Sequence, residues 1–324
     1  MPTLDLNDTF GALLIGVVLS AGLFGVTCSQ VFYYSQNYAS DGILIKGAVA
    51  TLLILEGLHS AFSIHAIYYY TILNYLNPLA LIQATWSAIM TLGISSLIIL
   101  VVHLFYVRRV YHVSRKNIPL VTLLAALSLG HFGTGIAVTV RAFQLEFFAA
   151  FSRSSRIVAA SLSLAVATDI LTAASLSYYL HTSRSGIERT DTLINKLMAY
   201  AINNGILTSL FDIIVLTFDT VEPNNLIFLA IFQVVGNLYT NSMMATLNSR
   251  HSLSKVNPPA VSGSGYIMNS LKAAGSATAV PIDGPELSVD SKASMPTFLN
   301  NRRINIVEFS FSTDLLQPFP LRRS

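Results

Sequence analysis

Leu81–Val107 reads LIQATWSAIMTLGISSLIILVVHLFYV, 27 residues with no Asp, Glu, Lys or Arg, and it stops at Arg108-Arg109. As a helix this run is about 40 Å long, at a rise of about 1.5 Å per residue. About 20 mainly apolar residues are enough to cross roughly 30 Å of hydrocarbon. No water is present there to serve the peptide groups, so a single run of this kind must pair its amides internally, as a helix does. Leu81–Val107 is therefore read as a membrane span.

Six further stretches meet the same test: Phe10–Tyr34, Ile43–Leu73, Ile118–Val140, Ile157–Leu180, Ile194–Phe218 and Leu226–Leu247. The second is the least uniform, because it contains Lys46, Glu56, His59 and His65. Composition agrees. The 324-residue chain is 53% hydrophobic and 11% charged, whereas soluble domains carry about a quarter charged residues. The expected fold class is all-α, a polytopic bundle of seven transmembrane helices followed by a disordered C-terminal tail. The leader, Met1–Thr9, contains Asp5 and Asp8 and no basic residue. That is the opposite of a signal peptide's basic start, so the first span is expected to be retained. The Asn7-Asp8-Thr9 sequon lies too close to the membrane to expect its use.

Charge in the connections sets the expected orientation. Arg108, Arg109, Arg115, Lys116, Arg184, Arg189, Lys196, Arg250 and Lys255 fall on one side, nine basic residues against three (Arg141, Arg153, Arg156) on the other. Basic loops stay cytoplasmic. This places residues 1–9 outside, 10–247 in the membrane and 248–324 in the cytoplasm, with the plasma membrane favoured. The Arg141–Arg156 connection carries Phe147, Phe148 and Phe151 and is expected at the outer interface. Tyrosines at the ends of the first, second and fifth spans (Tyr33, Tyr34, Tyr38; Tyr68, Tyr69, Tyr70; Tyr178, Tyr179) suit headgroup anchors. Prolines fall between spans, so fairly straight helices are expected. Gly16 with Ser20, Ala21 with Gly25, and Gly130 with Gly133 suit close helix contacts. From Asn248 the composition turns to Ser, Pro, Gly, Ala and Lys, which cannot bury enough apolar area to offset ordering. There is no internal repeat.

Charge and motifs exclude several classes. A net charge of +3 without a basic stripe gives no nucleic-acid partner. The one cysteine, Cys28, permits no internal disulfide and reads as a small packing residue in the first span. No Walker loop, dinucleotide fingerprint, nucleophile elbow or His-Glu-x-x-His is present, so no cofactor, metal or catalytic residue is assigned. Expected partners are membrane lipids, a small-molecule ligand, and a cytoplasmic partner at residues 181–196 or at the tail, where Ile304–Phe311 alternates apolar and polar. In the 184–191 connection Gly186 suits a turn, and Thr190 or Asp191 suits a helix cap.

Polar groups inside spans are costly in lipid, about 2.5–3.5 kcal/mol for a charged one. Glu56 and His59 lie near the middle of the second span on one face. Asp169 is near the centre of the fifth span. Asn203 and Asn204 are in the inner half of the sixth, and Asn237 is near the middle of the seventh. Their similar depth predicts one inward-facing polar layer, either a ligand or ion site or an interhelical hydrogen-bond cluster that fixes packing. Asp212 is an acid with no partner nameable from the sequence, and Lys46 is expected to snorkel to the inner interface.

Several segments together resemble one family: Gly11–Gly16 (GALLIG), Gly25–Gln30 (GVTCSQ), His65–Tyr70 (HAIYYY) with Asn74-Tyr75, Ser177–Leu180 (SYYL), Ser183–Gly186 (SRSG) with Arg189–Asp191 (RTD), Ile202–Thr208 (INNGILT), Pro223–Asn225 (PNN) and Leu238–Ser242 (LYTNS). The chain looks like the multi-span proteins of mushroom-forming fungi that carry domain of unknown function 6534. The likeness covers about residues 10–250 and centres on Asp169–Arg250. The chain departs from the family pattern at Asn204, where Thr is looked for, and at Asn237, where Lys is looked for. The resemblance implies a membrane protein and supplies no reaction or ligand.

Three functions fit such a chain. Seven spans with an outside N-terminus and a cytoplasmic tail suit a receptor-like or signalling scaffold. The span-three end lacks Asp-Arg-Tyr, however, and span seven lacks both Asn-Pro-x-x-Tyr and a lysine for a retinal Schiff base. The polar layer suits a small-solute transporter, although repeats and interrupted helices are missing. An intramembrane enzyme is the third and weakest reading.

Overall fold

The computed structural model describes residues 10–75, 77–81, 83–145, 155–184, 188–222 and 226–256. Expectations for the leader and its sequon, for Phe147, Phe148, Phe151, Arg153, Gly186 and Pro223, and for the tail beyond Val256 with Ile304–Phe311 lie outside the described residues, while Asn248–Val256, expected to be disordered, continues the last described helix, Ile227–Val256.

Every regular element among the described residues is helical. They are α1 (Ala12–Asn37), α2 (Ile43–Tyr68), α3 (Pro78–Leu81), α4 (Trp86–Val113), α5 (Ile118–Leu145), α6 (Ser155–Thr182), α7 (Glu188–Val221) and α8 (Ile227–Val256). All but the short α3 are long and apolar enough to cross a membrane, and the chain is a multi-pass membrane protein. The chain order closes a ring: α1 packs on α2, α2 on α4, then α4–α5, α5–α6, α6–α7, α7–α8, and α8 returns to α1. Contacts of α4 with α8 and α6 cross its middle, which makes α4 and α8 the most enclosed spans.

The bundle is polar inside and oily outside. Ile15, Val18, Leu19, Ile54, Ile170 and Ile206 are more than half exposed, while Glu56, Thr91, Ser95, Ser128, Thr168 and Asn237 are fully buried. In lipid an exposed Ile costs nothing. Association then rests on close packing and interhelical hydrogen bonds rather than on the hydrophobic effect.

The third span begins at Trp86, not at Leu81. The reason lies in Tyr70, 1% exposed, whose hydroxyl donates to the Gln83 carbonyl at 2.9 Å and accepts the Thr85 N–H at 2.6 Å. That anchorage holds residues 83–85 out of helix, between α3 and α4. The second span ends in a π-helical turn, Tyr69–Leu73, a departure from regular geometry that needs no proline. Pro119 lies in the first turn of α5, where a missing N–H is tolerated. The sixth span's helix starts at Glu188, so Thr190 and Asp191 fall inside its first turn rather than ahead of it. Between α4 and α5, Arg115 and Lys116 take left-handed φ values of 55° and 67°, which makes the reversal tight.

Close contacts occur at only some of the expected small residues. At Gly16 an added Cβ would lie 2.9 Å from Ala230 Cα and closer still to its carbonyl oxygen. Ala21 and Gly25 are exposed, and Gly25 and Gly133 have open space instead. Cys28 is likewise exposed rather than packed. Gly16→Ala is expected to push α1 off α8 and cost about 1–3 kcal/mol, the usual range for overpacking. A melting curve in detergent checks this, with Gly25→Ala as the silent control.

Candidate functional site

The six candidate residues do not form one layer. Five of them divide between two clusters on opposite faces of α8, and Asn203 stands apart. Asn237, Thr240 and Asn241 face α1 and α2, and Tyr239, Ser242 and Thr246 face α4, α6 and α7. The spacing is helical: residues three or four apart share a face, and neighbours diverge.

In the first cluster Glu56 is fully buried. Its Oε2 accepts from Asn237 Nδ2 and its Oε1 from Thr240 Oγ1 at 2.6 Å. Asn237 Oδ1 in turn accepts from Ser20 of α1 at 2.6 Å. About two turns along α1, Thr27 donates to Asn241 Oδ1 at 3.2 Å. His59, 1% exposed, lies beside Gln233. Gln233 Oε1 accepts from Ser63 at 3.3 Å. These groups tie α2 and α1 to α8.

The second cluster is built on Asp169 of α6. Its Oδ1 lies 3.2 Å from His103 Nε2. Its Oδ2 accepts from Thr208 and from Tyr239, the latter at 2.6 Å. The Tyr239 hydroxyl is also 2.9 Å from Asp212 Oδ2. A phenol carries one hydrogen. It can therefore donate to only one carboxyl at a time, and the other contact is a hydrogen bond only when that carboxyl brings its own proton. Toward the basic end, the Asn204 amide is directed at Tyr106 OH (3.2 Å), Ser242 O (3.1 Å) and Thr246 Oγ1 (3.0 Å). A gap of about 20 Å³ lined by Tyr106, Asp169, Asn204, Thr208, Tyr239 and Ser242 is large enough for one water.

Asn203 joins neither cluster and is exposed. Adjacent residues on a helix point about 100° apart, so only Asn204 can face inward. Sequence reasoning named Asp212 without its partner and missed Tyr239, His103 and Thr208. A phenol at the middle of a span rather than at its end was the available signal for Tyr239. Among the described residues no group of three His, Cys, Asp or Glu side chains is placed to hold a metal.

A cleft of about 70 Å³ opens above the second cluster, toward the end that carries Asp219 and Phe228. Its walls include Leu92, Val138, Leu162 and Phe232, with His131 and Asp219 among them. His131 Nδ1 lies 2.9 Å from the Ser161 carbonyl. A carbonyl only accepts, so Nδ1 holds the proton, and Nε2 is a bare acceptor in the neutral ring. That Nε2 has no partner, and neither has Asp219 Oδ2. The His103 ring stands 5.9 Å from His131, edge on.

At the basic end the tyrosines do more than anchor. Tyr34 donates to Asp41 at 3.0 Å, Tyr38 donates to the Asn248 carbonyl at 2.9 Å, and Arg250 stacks over the Tyr38 ring at 4.6 Å. Tyr179 accepts from Asn117 at 2.8 Å, while Tyr68 and Tyr178 are exposed, as anchors would be. Lys46 reaches the Ala39 carbonyl at 2.5 Å. Arg250 pairs with Asp41, Nη2 to Oδ2 at 2.6 Å. Partial burial alone would raise the Asp41 carboxyl. The hydrogen bonds from Arg250 and Tyr34, with the charges of Arg250 and Lys46, outweigh it and hold the carboxyl below its ordinary value. A lowered acid stabilises the fold in full above the ordinary carboxylate range, about pH 4, and loses that contribution as pH falls through the lowered value. The melting-temperature advantage of the parent over Asp41→Asn should accordingly hold at neutral pH and vanish in acid. An advantage unchanged by acid would contradict the pairing.

Fold and clusters define a polytopic helical membrane protein with a hydrogen-bonded interior. Residues 165–252 match the model of a family of unknown function (DUF6534). That window contains Asp169, Asn204, Thr208, Asp212, Asn237 and Tyr239, with His103, His131 and Glu56 outside it. No curated protein and no solved structure matches the chain.

Proposed function

We propose that the protein is a receptor-like membrane protein for a small, mainly apolar molecule that carries a hydrogen-bond donor, an alcohol or an amine. The ligand sits in the His131 cleft, and its presence is passed to the basic end. The observation that supports this reading is a run of polar contacts joining two cavities. It starts at the unpartnered His131 Nε2 and crosses to the facing His103 ring. From there it continues to Asp169 and to Thr208, whose one hydrogen serves either Asp169 or the Asn204 carbonyl, and the Asn204 amide reaches Thr246 in the wall of the basic cavity. A ligand donor satisfies His131, and an amine would also find Asp219. The bistable element is the Tyr239 hydrogen, shared between Asp169 and Asp212, since a ligand shifts an equilibrium only by preferring one of its states.

In this reading the basic end is cytoplasmic, by the loop-charge rule, and the N-terminus is outside, in the plasma membrane. The chain that follows α8 lies on the cytoplasmic side in this reading. Asp169 and Asn204 belong to the relay, Glu56 and Asn237 hold the helices together, and Asn203 has no part. The likeness to fungal proteins adds a source but no ligand.

One observation favours transport as the second reading: the water-sized gap beside Asp169, on the same polar run. Thermal stabilisation of the purified protein by a panel of small alcohols and amines tests both. Members that fit the cleft should raise the melting temperature, and Val138→Phe, which fills the cleft, should abolish the rise. A panel without effect, or a rise that survives Val138→Phe, overturns the receptor reading. Saturable uptake of an active compound into proteoliposomes replaces it with transport.

A further inference from the structure

At the basic end a second cavity, about 280 Å³, lies between α2, α4, α7 and α8. Its polar lining is mostly cationic: Arg108, Arg109 and Arg250, with His112 and Thr246. Among the described residues no carboxylate lines it. The nearby acid, Asp41, already pairs with Arg250 and accepts from Tyr34. Arg109 is half-buried at the end of a span and makes no hydrogen bond or ion pair among the described residues. A guanidinium presents five donors in a fixed fork, and burying one beside a second arginine without an anion is unfavourable. The remaining wall is apolar: Ile45, Phe105, Val113, Leu197 and Leu247.

We infer that this cavity binds the phosphate of an anionic phospholipid. The guanidinium of Arg109, with Arg108 and Arg250, takes the phosphate oxygens in the forked geometry that arginine makes with phosphate. The apolar wall takes the adjoining glycerol and first acyl carbons. A free phosphate shares the headgroup chemistry but leaves that wall uncovered, which is why the lipid is favoured. The inference does not rest on the receptor reading, although Thr246 belongs both to this cavity's wall and to the run from His131.

The test uses the full chain in phosphatidylcholine nanodiscs, with and without phosphatidic acid, and with inorganic phosphate added to the neutral discs. Phosphatidic acid should raise the melting temperature, and inorganic phosphate should not. Arg109→Gln should weaken the apparent lipid affinity about ten-fold, the loss of one charge-assisted contact. Leu197→Trp keeps every charge, fills the cavity and should have the same effect, which guards against a misfolded Arg109 variant. Arg115→Gln with Lys116→Gln removes two charges outside the cavity, against one for Arg109→Gln, and should leave the response intact. The inference is overturned by no response to phosphatidic acid. It is overturned equally by a response that survives both Arg109→Gln and Leu197→Trp, by one abolished by the Arg115 and Lys116 changes, or by an equal response to inorganic phosphate.

Discussion

Tyr239→Phe is expected to cost the bundle about 1–3 kcal/mol, the range for leaving a buried hydrogen-bonding group without its partner. The substitution removes one oxygen from a side chain 2% exposed and leaves the ring in place, so the loss is not one of packing. Its source is Asp212. That carboxyl is 1% exposed, its Oδ1 has no partner, and its Oδ2 meets only the Tyr239 hydroxyl. Asp169 fares better, because His103 and Thr208 still serve it. Asp212→Leu placed on top of Tyr239→Phe should therefore restore part of the lost stability, since it removes the orphan. The same change in the parent protein should be costly. Denaturation of the four proteins in one detergent gives the coupling directly. Simple additivity would mean that Tyr239 and Asp212 do not depend on each other.

Asn237→Leu should be comparably damaging at the other cluster. The Asn237 side chain donates to Glu56 and accepts from Ser20, so its loss strands groups on two helices. Each unsatisfied buried group costs about 1–3 kcal/mol, more if charged. Thr240 remains as a donor to Glu56, which sets the expectation near the middle of the range rather than above it. Asn237→Asp keeps the acceptor for Ser20 and replaces the donor with a second carboxyl facing Glu56. It separates shape from charge: its melting temperature should fall well below that of the parent. A variant as stable as the parent would show that Glu56 does not depend on the amide donor.

The spans were legible because hydrocarbon thickness and composition fix them with little help from tertiary structure. The start at Trp86 was not, because it depends on buried Tyr70 gripping the backbone at Gln83 and Thr85, a contact between segments that hydropathy does not encode. Glu56 and Asn237 could be singled out by depth alone. Their pairing could not, since it requires knowing how α2 and α8 are rotated about their axes. Asn203 and Asn204 make the same point: equal in depth and chemistry, one outward and one inward. Asp212 looked solitary because its partner, Tyr239, was read within a sequence resemblance rather than as a hydroxyl in the middle of a span. The tyrosine pairs at span ends read uniformly as anchors, yet neighbours on a helix diverge, so Tyr34 and Tyr70 turned inward while Tyr33 and Tyr68 stayed out.

The contact between α1 and α8 bears on how the protein is made. Ser20 finds Asn237 217 positions later in the chain, and the backbone of α1 at Gly16 meets Ala230. A ribosome delivers the first span long before the last. Until α8 arrives, Ser20 and the Glu56 carboxyl must be borne by lipid, water or a helper in the membrane. Closure of the ring is then gated by synthesis of α8, and a nascent chain stalled before Ile227 would be an incomplete ring with its polar seam open.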